Sequence, residues 1–143
     1  MTIANEISNR IVIDLLRIGA YLQRAGNRIS GDYGLTQQQF VVLNEIAVKG
    51  PLSQKAIVGS LLFEKSNVSK IVSKLKTLNL IDVATSTDDA RITILTATPY
   101  GDDLWKNCMH DFDAWNKDWL SSLVDAKTNQ VLYALGIMNE LIK

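Results

Sequence analysis

Residues 64–81 read Glu64-Lys65-Ser66-Asn67-Val68-Ser69-Lys70-Ile71-Val72-Ser73-Lys74-Leu75-Lys76-Thr77-Leu78-Asn79-Leu80-Ile81. Val68, Ile71, Val72, Leu75 and Leu78 recur at intervals of three and four, the spacing of one helical face, and predict an amphipathic helix with an apolar underside. Ser66, Asn67, Ser69, Lys70, Ser73, Lys74 and Thr77 project elsewhere, so the outer face is small, polar and basic. Asn79 stands where the helix end needs a left-handed residue. Leu80 can then fold back on Leu75, a Schellman ending with Asn in place of the usual Gly.

Upstream, Ile7, Ile11, Leu15, Ile18, Leu22 and Ile29 share one helical face and predict a long first helix ending near Gly31. Thr36-Gln37-Gln38-Gln39 reads as a capping box, with Leu35 and Phe40 placed for a hydrophobic staple. The second helix runs through Ile46 and is stopped by Gly50-Pro51. Ser53 is the N-cap of a short third helix with Ile57, Leu61 and Leu62 facing inward. Downstream, Ile81–Ala84 and Arg91–Ala97 read as two strands around the turn-rich Thr85-Ser86-Thr87-Asp88-Asp89-Ala90, a β-hairpin with a polar tip. Thr98 caps a fifth helix, Pro99 suits its first position, and Asp102 with Asp103 complements its dipole. That helix is expected to reach about Leu120. Asp125 is expected to cap a last helix lined by Val131, Leu135, Met138 and Ile142. There is no internal repeat and no low-complexity segment.

Charge sharpens the picture. The 143 residues carry 15 Lys plus Arg and 15 Asp plus Glu, yet the balance is uneven along the chain. Residues 46–81 hold Lys49, Lys55, Lys65, Lys70, Lys74 and Lys76 against Glu64 alone, while residues 82–103 hold Asp82, Asp88, Asp89, Asp102 and Asp103 against Arg91. A basic block on a neutral protein suits a polyanion, because phosphate neutralisation supplies most nonspecific nucleic-acid affinity. A solvated helix face would give the same pattern. The length suits one packed domain and argues against a multidomain enzyme. A single Cys108 forbids an internal disulfide, the amino terminus lacks the pattern of a signal peptide, and no apolar run is long enough to span a bilayer. The expectation is a cytoplasmic protein with no membrane role. One His and one Cys leave a transition metal short of donors, so neither metal nor cofactor is expected. Cys108, His110 and Asp111 lie too close along one helix to line up as nucleophile, base and orienter, and no catalytic activity is expected.

The order helix, helix, short helix, polar-faced helix and hairpin is the plan of a winged helix-turn-helix, giving a mainly α fold with a small β-hairpin wing. In that plan the second helix of the turn enters the major groove, first residues toward the base edges. Ser66, Asn67, Ser69 and Lys70 occupy those positions, and Lys70 and Lys74 reach guanine or phosphate.

The chain resembles the MarR family of bacterial transcriptional regulators over nearly its whole length. The resemblance rests on Leu52-Ser53-Gln54-Lys55-Ala56-Ile57, on Glu64 to Leu75, on Asn79-Leu80-Ile81, and on a wing similar to the family's D-x-R followed by L-T-x-x-G, here Asp89-Ala90-Arg91 and Ala97-Thr98-Pro99-Tyr100-Gly101. It implies a homodimer whose helical region, residues 1–32 and 99–143, interlocks with its copy. The winged lobes, residues 33–98, would read a pseudo-palindrome in double-stranded DNA, usually as a repressor. It also implies that Asp89 helps hold Arg91 toward the DNA, although a pair that merely braces the hairpin fits as well. A small aromatic effector would bind between lobe and helices, with Tyr21, Tyr33, Trp105 and Phe112 as candidate lining. Trp105, Met109, Phe112, Trp115 and Trp119, with Cys108 beside them, form a stripe that serves equally as core or dimer interface. The wing departs from the family in carrying Val83, Ala84 and Ala90 where basic residues are common, with Asp88 and Asp89 alongside. That acidic wing motivates the rival reading, a winged helix that binds proteins as an antirepressor or adaptor.

Overall fold

The capping signals of the sequence set the element boundaries. In the computed structural model, which describes residues 3–142, the order is α1 (Ile3–Gly31), α2 (Gln37–Lys49), β1 (Leu52–Ser53), α3 (Gln54–Leu61), α4 (Lys65–Thr77), β2 (Ile81–Thr85), β3 (Thr93–Ala97), α5 (Pro99–Trp119) and α6 (Asp125–Glu140). Met1, Thr2 and Lys143, the ends of the expected helical region and part of the amino-terminal reading, lie outside the described residues. The chain divides into two units, Met1–His110 and Asp111–Lys143.

In the first unit the Thr36 hydroxyl accepts from the Gln39 amide while the Gln39 side chain accepts from the Thr36 amide, so the capping box closes in both directions. Leu35 and Phe40 are buried beside it. Ser53 caps α3 by accepting from the Ala56 amide. The end of α4 is a complete Schellman motif: Asn79, at φ 60°, donates to Lys76 and the Leu80 amide donates to Leu75. The core beneath combines Val42, Leu43 and Ile46 of α2, Ile57 of α3, Val68 and Leu75 of α4, and Ile81 and Leu95 of the sheet. Leu78, at the end of the α4 stripe, is half-buried.

Four details differ from the sequence reading. The sheet has three strands in the order β1-β3-β2, because Leu52 and Ser53 pair with Leu95 and Ile94. The second hairpin strand begins at Thr93 rather than Arg91. Arg91 leaves the ladder because its amide is captured by the Asp89 carboxylate at 3.0 Å, and the Ile92 amide turns back to the Asp89 carbonyl. Leu62 faces outward: it is the left-handed residue ending α3, at φ 58°, and is exposed. Finally, α6 is capped at Val124 without a side-chain bond, so Asp125 is its first helical residue, where its charge still favours the dipole.

Within the second unit, Trp115 and Trp119 stack with ring centroids 5.4 Å apart. No residue of α6 is buried: Val131 and Leu135 on one face and Leu132, Tyr133 and Ile137 elsewhere are all exposed, as are Leu141 and Ile142 just past its end. The first half of α1 has the same character. Its expected face is exposed at Ile7, Ile11, Leu15, Ile18 and Leu22, and the opposite side carries the exposed Val12, Ile13 and Leu16. No described helix is long and apolar enough to cross a membrane.

Candidate nucleic-acid interface

Helix α4 packs on α2 and α3, and its buried stripe of Val68, Ile71, Val72 and Leu75 fixes which side faces solvent. At about 100° per residue, Ser66, Lys70 and Ser73 lie opposite that stripe, with Asn67 and Lys74 on one flank and Ser69 and Lys76 on the other. Ser66, Lys70, Ser73 and Lys74 are exposed. The two flank residues nearest the start of the helix have partners inside the protein. The Asn67 amide nitrogen donates to the Gln38 side-chain carbonyl of α2 at 3.0 Å. The Gln54 amide of α3 donates to the Ser69 hydroxyl at 2.7 Å. Of the five residues of α4 expected at the interface, three therefore point freely outward and two are held by neighbouring helices.

Beside the start of α4 lies a cleft of about 580 Å³ lined by Ser53, Gln54, Lys55, Val58, Lys65, Arg91, Ile92 and Thr93. It brings the third helix, the recognition-type helix and the wing together around three cations. The sequence reading placed Lys55 and Lys65 in the basic block and in the family-like runs and gave them no site role; their convergence with Arg91, on a different element, appears in the fold alone. Lys55, Lys65, Lys70, Lys74 and Lys76 make no ion pair among the described residues, whereas Lys49 is bound to Glu45 at 2.9 Å. The free charge of the basic block thus falls on α3 and α4.

At the wing, the Arg91 guanidinium meets Asp89 in a two-pronged pair, Nε to Oδ1 and Nη2 to Oδ2, each 3.1 Å. The Arg91 side chain is 90% exposed, so the pair orients it without hiding it. The guanidinium bond first, then the Arg91 backbone amide, holds the Asp89 carboxyl below its ordinary value.

Two of the four expected effector-lining residues make side-chain hydrogen bonds. Tyr33 donates its hydroxyl to the Asn107 carbonyl at 3.1 Å, and Trp105 donates its indole N–H to Asn44 at 2.8 Å, so both fasten α5 to the α2 region. Tyr21 is exposed on α1, and Phe112 belongs to the second unit. Another cleft lies at the end of α2 between Gly50, Thr96 and Asp102. Neither cleft is lined by these four residues. Cys108 is fully buried in α5, as an unreactive thiol would be.

A packed three-helix lobe with a helix presented to solvent and a β-sheet wing beside it is a winged helix. Residues 33–92 match the profile described as MarR family, so this lobe is similar to the winged helix of that family. Solved structures share the fold along nearly the whole chain. They include MepR of S. aureus in a DNA complex (19% identity, TM-score 0.84, covering 92% of this chain and 97% of that one). The Staphylococcus aureus MarR in complex with salicylate and kanamycin matches at 19% identity and TM-score 0.85, over 96% and 93% of the two chains. The transcriptional regulator BldR from Sulfolobus solfataricus matches at 19% identity and TM-score 0.87, over 99% and 100%. Comparison with curated protein sequences gives no match.

Proposed function

We propose that this chain regulates transcription as a homodimer that binds a pseudo-palindromic DNA site, acting as a repressor, and that it has no catalytic activity. The observation that carries this is the outer face of α4, where Ser66, Lys70, Ser73 and Lys74 stand exposed on a packed apolar underside. Small hydroxyls allow close approach to base edges, and unpaired ammonium groups reach guanine or phosphate. Lys55, Lys65 and Arg91 around the adjoining cleft are placed to grip the flanking backbone. MepR, which shares the fold, is described in complex with DNA.

Dimerisation through residues 1–32 and 99–143 is supported by the two-sided apolar character of α1 and α6. Apolar side chains exposed on more than one side of a helix call for a covering partner, and Leu16 at 68% and Tyr133 at 75% exposure are such side chains. A symmetric pair places two α4 helices on successive major grooves, roughly 34 Å apart. A small aromatic effector would act by favouring a dimer whose lobes are spaced wrongly for those grooves. The Staphylococcus aureus MarR complex with salicylate supports that arm.

The test is selection from a randomised DNA library at two salt concentrations, with the molar mass measured in solution. A dimer that enriches a palindrome, and loses it on Lys70→Ala while remaining dimeric, supports the proposal. A dimer that enriches no sequence even at low salt favours the adaptor reading suggested by the acidic wing. Equal operator affinity with and without bound salicylate would remove the effector arm.

A further inference from the structure

Three consecutive glutamines open α2, and each is used for a different contact. The Gln39 side chain closes the capping box on Thr36. The Gln37 backbone N–H donates to the Asn27 side-chain carbonyl of α1 at 2.8 Å. The Gln38 side chain reaches across to Asn67 in the first turn of α4. The turn at residues 36–39 therefore ties the long first helix to the start of the recognition helix. On the opposite flank of α4, Gln54 holds Ser69.

We propose that Gln38 and Gln54 are positioning residues that set which bases this helix reads, acting through Asn67 and Ser69. This rests on the DNA-binding reading above and refines it. The helix periodicity alone makes Asn67 a base reader, since an Asn amide can pair with adenine. In the fold one Nδ2 hydrogen is given to Gln38, which turns the amide toward α2, and the bond adds to the packing of the apolar stripe in holding the rotation of α4 about its own axis. Two grips on opposite flanks oppose a roll in either direction, and base reading centres on Ser66, Lys70 and Ser73 on the line between them. A roll of a few degrees would move the tips of those side chains across the base edges. The grips thus govern base choice more than overall affinity, which phosphate contacts dominate.

The experiment is selection from a randomised DNA library with the full chain and the variants Gln38→Ala, Asn67→Ala, their double mutant and Gln38→Glu. Gln38→Ala and Asn67→Ala should shift the preferred bases in the same way and lower the ratio of specific to nonspecific affinity by about tenfold, the worth of one mismatched base pair. The double mutant should lose no more than either single, as coupled residues do. Gln38→Glu should retain the native preference, because its carboxylate still accepts from Asn67. A change of preference in Asn67→Ala with Gln38→Ala unchanged would make Asn67 a direct reader and overturn the proposal. So would additive losses, or a fall in thermal stability in Gln38→Ala with an unaltered base profile. If the native chain itself enriches no sequence, the DNA-binding reading fails and takes this role with it. In that case unchanged amide exchange at Val68 and Ser69 in Gln38→Ala would show that the grip too is absent.

Discussion

Trp105 of α5 donates its indole N–H to the side-chain carbonyl of Asn44 of α2, 2.8 Å away and 61 residues back along the chain. Asn44 is half-buried among Val42, Leu43 and Ile46 of the core, so the bond fixes the start of α5 against the winged lobe. Removing the acceptor leaves a half-buried donor without a partner, which costs about 1–3 kcal/mol. Asn44→Ala should therefore lower unfolding stability by about that amount in a denaturant titration. Asn44→Asp, which keeps an acceptor in place, should lose less. Equal losses in the two variants would assign the effect to packing.

Gly101, the last residue of the family-like L-T-x-x-G run, stands where no side chain fits. A Cβ at Gly101 would overlap the Leu80 carbonyl oxygen. The crowding follows from the joint itself: the Thr98 amide donates to Leu80, the Thr98 hydroxyl donates to the Asn79 carbonyl at 2.7 Å, and the Gly101 amide donates back to that hydroxyl. The start of α5 is thereby pressed onto the Schellman ending of α4. Gly101→Ala should cost at least the 1–3 kcal/mol, roughly, of an overpacked core. A thermal unfolding midpoint equal to that of the native chain would refute this. By contrast Ala97, which takes the place of the family's Leu, is only half-buried in β3.

What could be read from the sequence was what is local. Thr36, Ser53, Asn79 and Thr98 were legible as caps because a cap is settled by a side chain and amides two or three residues away. The apolar stripe of α4 was legible because its period is internal to the helix. Strand β1 was not, since two residues have no period and their partners Leu95 and Ile94 lie far along the chain. Arg91 was misplaced in a strand because its β-branched neighbours outweighed the turn that Asp89 makes with its backbone. The engagement of Asn67 and Ser69 was invisible for a related reason: periodicity shows which way a residue points, and the amides that meet these two come from α2 and α3. The cationic cleft needed Lys55, Lys65 and Arg91 from three elements and could be assembled only in space.

The Asp89–Arg91 pair predicts a titration. Asp89 is held below its ordinary 3.8 by the guanidinium bond first and the Arg91 backbone amide second. A carboxyl lowered in the folded state contributes stability above its unfolded value and loses it as pH falls through the lowered one. The wing pair should thus stay closed throughout the neutral and mildly acidic range and open only below pH 3.8. NMR titration of the Asp89 carboxyl should give a midpoint under that value. Arg91→Ala should raise the midpoint part of the way back, because residue 91 still donates its backbone N–H. A midpoint unmoved by Arg91→Ala would mean that the side-chain pair does not form in solution.

The last prediction separates cations that grip phosphate from those that read bases. Lys55 and Lys65 border the cleft beside the wing, Lys70 lies on the central outward line of α4, and Lys49 is bound to Glu45 and Ser60. Each phosphate contact contributes about 0.9 to the slope of log affinity against log salt. In a symmetric dimer, Lys65→Ala or Lys55→Ala should lower that slope by about 2 and weaken specific and nonspecific binding alike. Lys49→Ala should leave the slope unchanged, since its ammonium is already paired with Glu45 at the surface of the lobe. Lys70→Ala should act on specificity, weakening the selected site much more than random DNA of the same length. Affinities over a salt series for these four variants check the assignment, and a slope unmoved by Lys65→Ala would remove the cleft from the DNA contact surface.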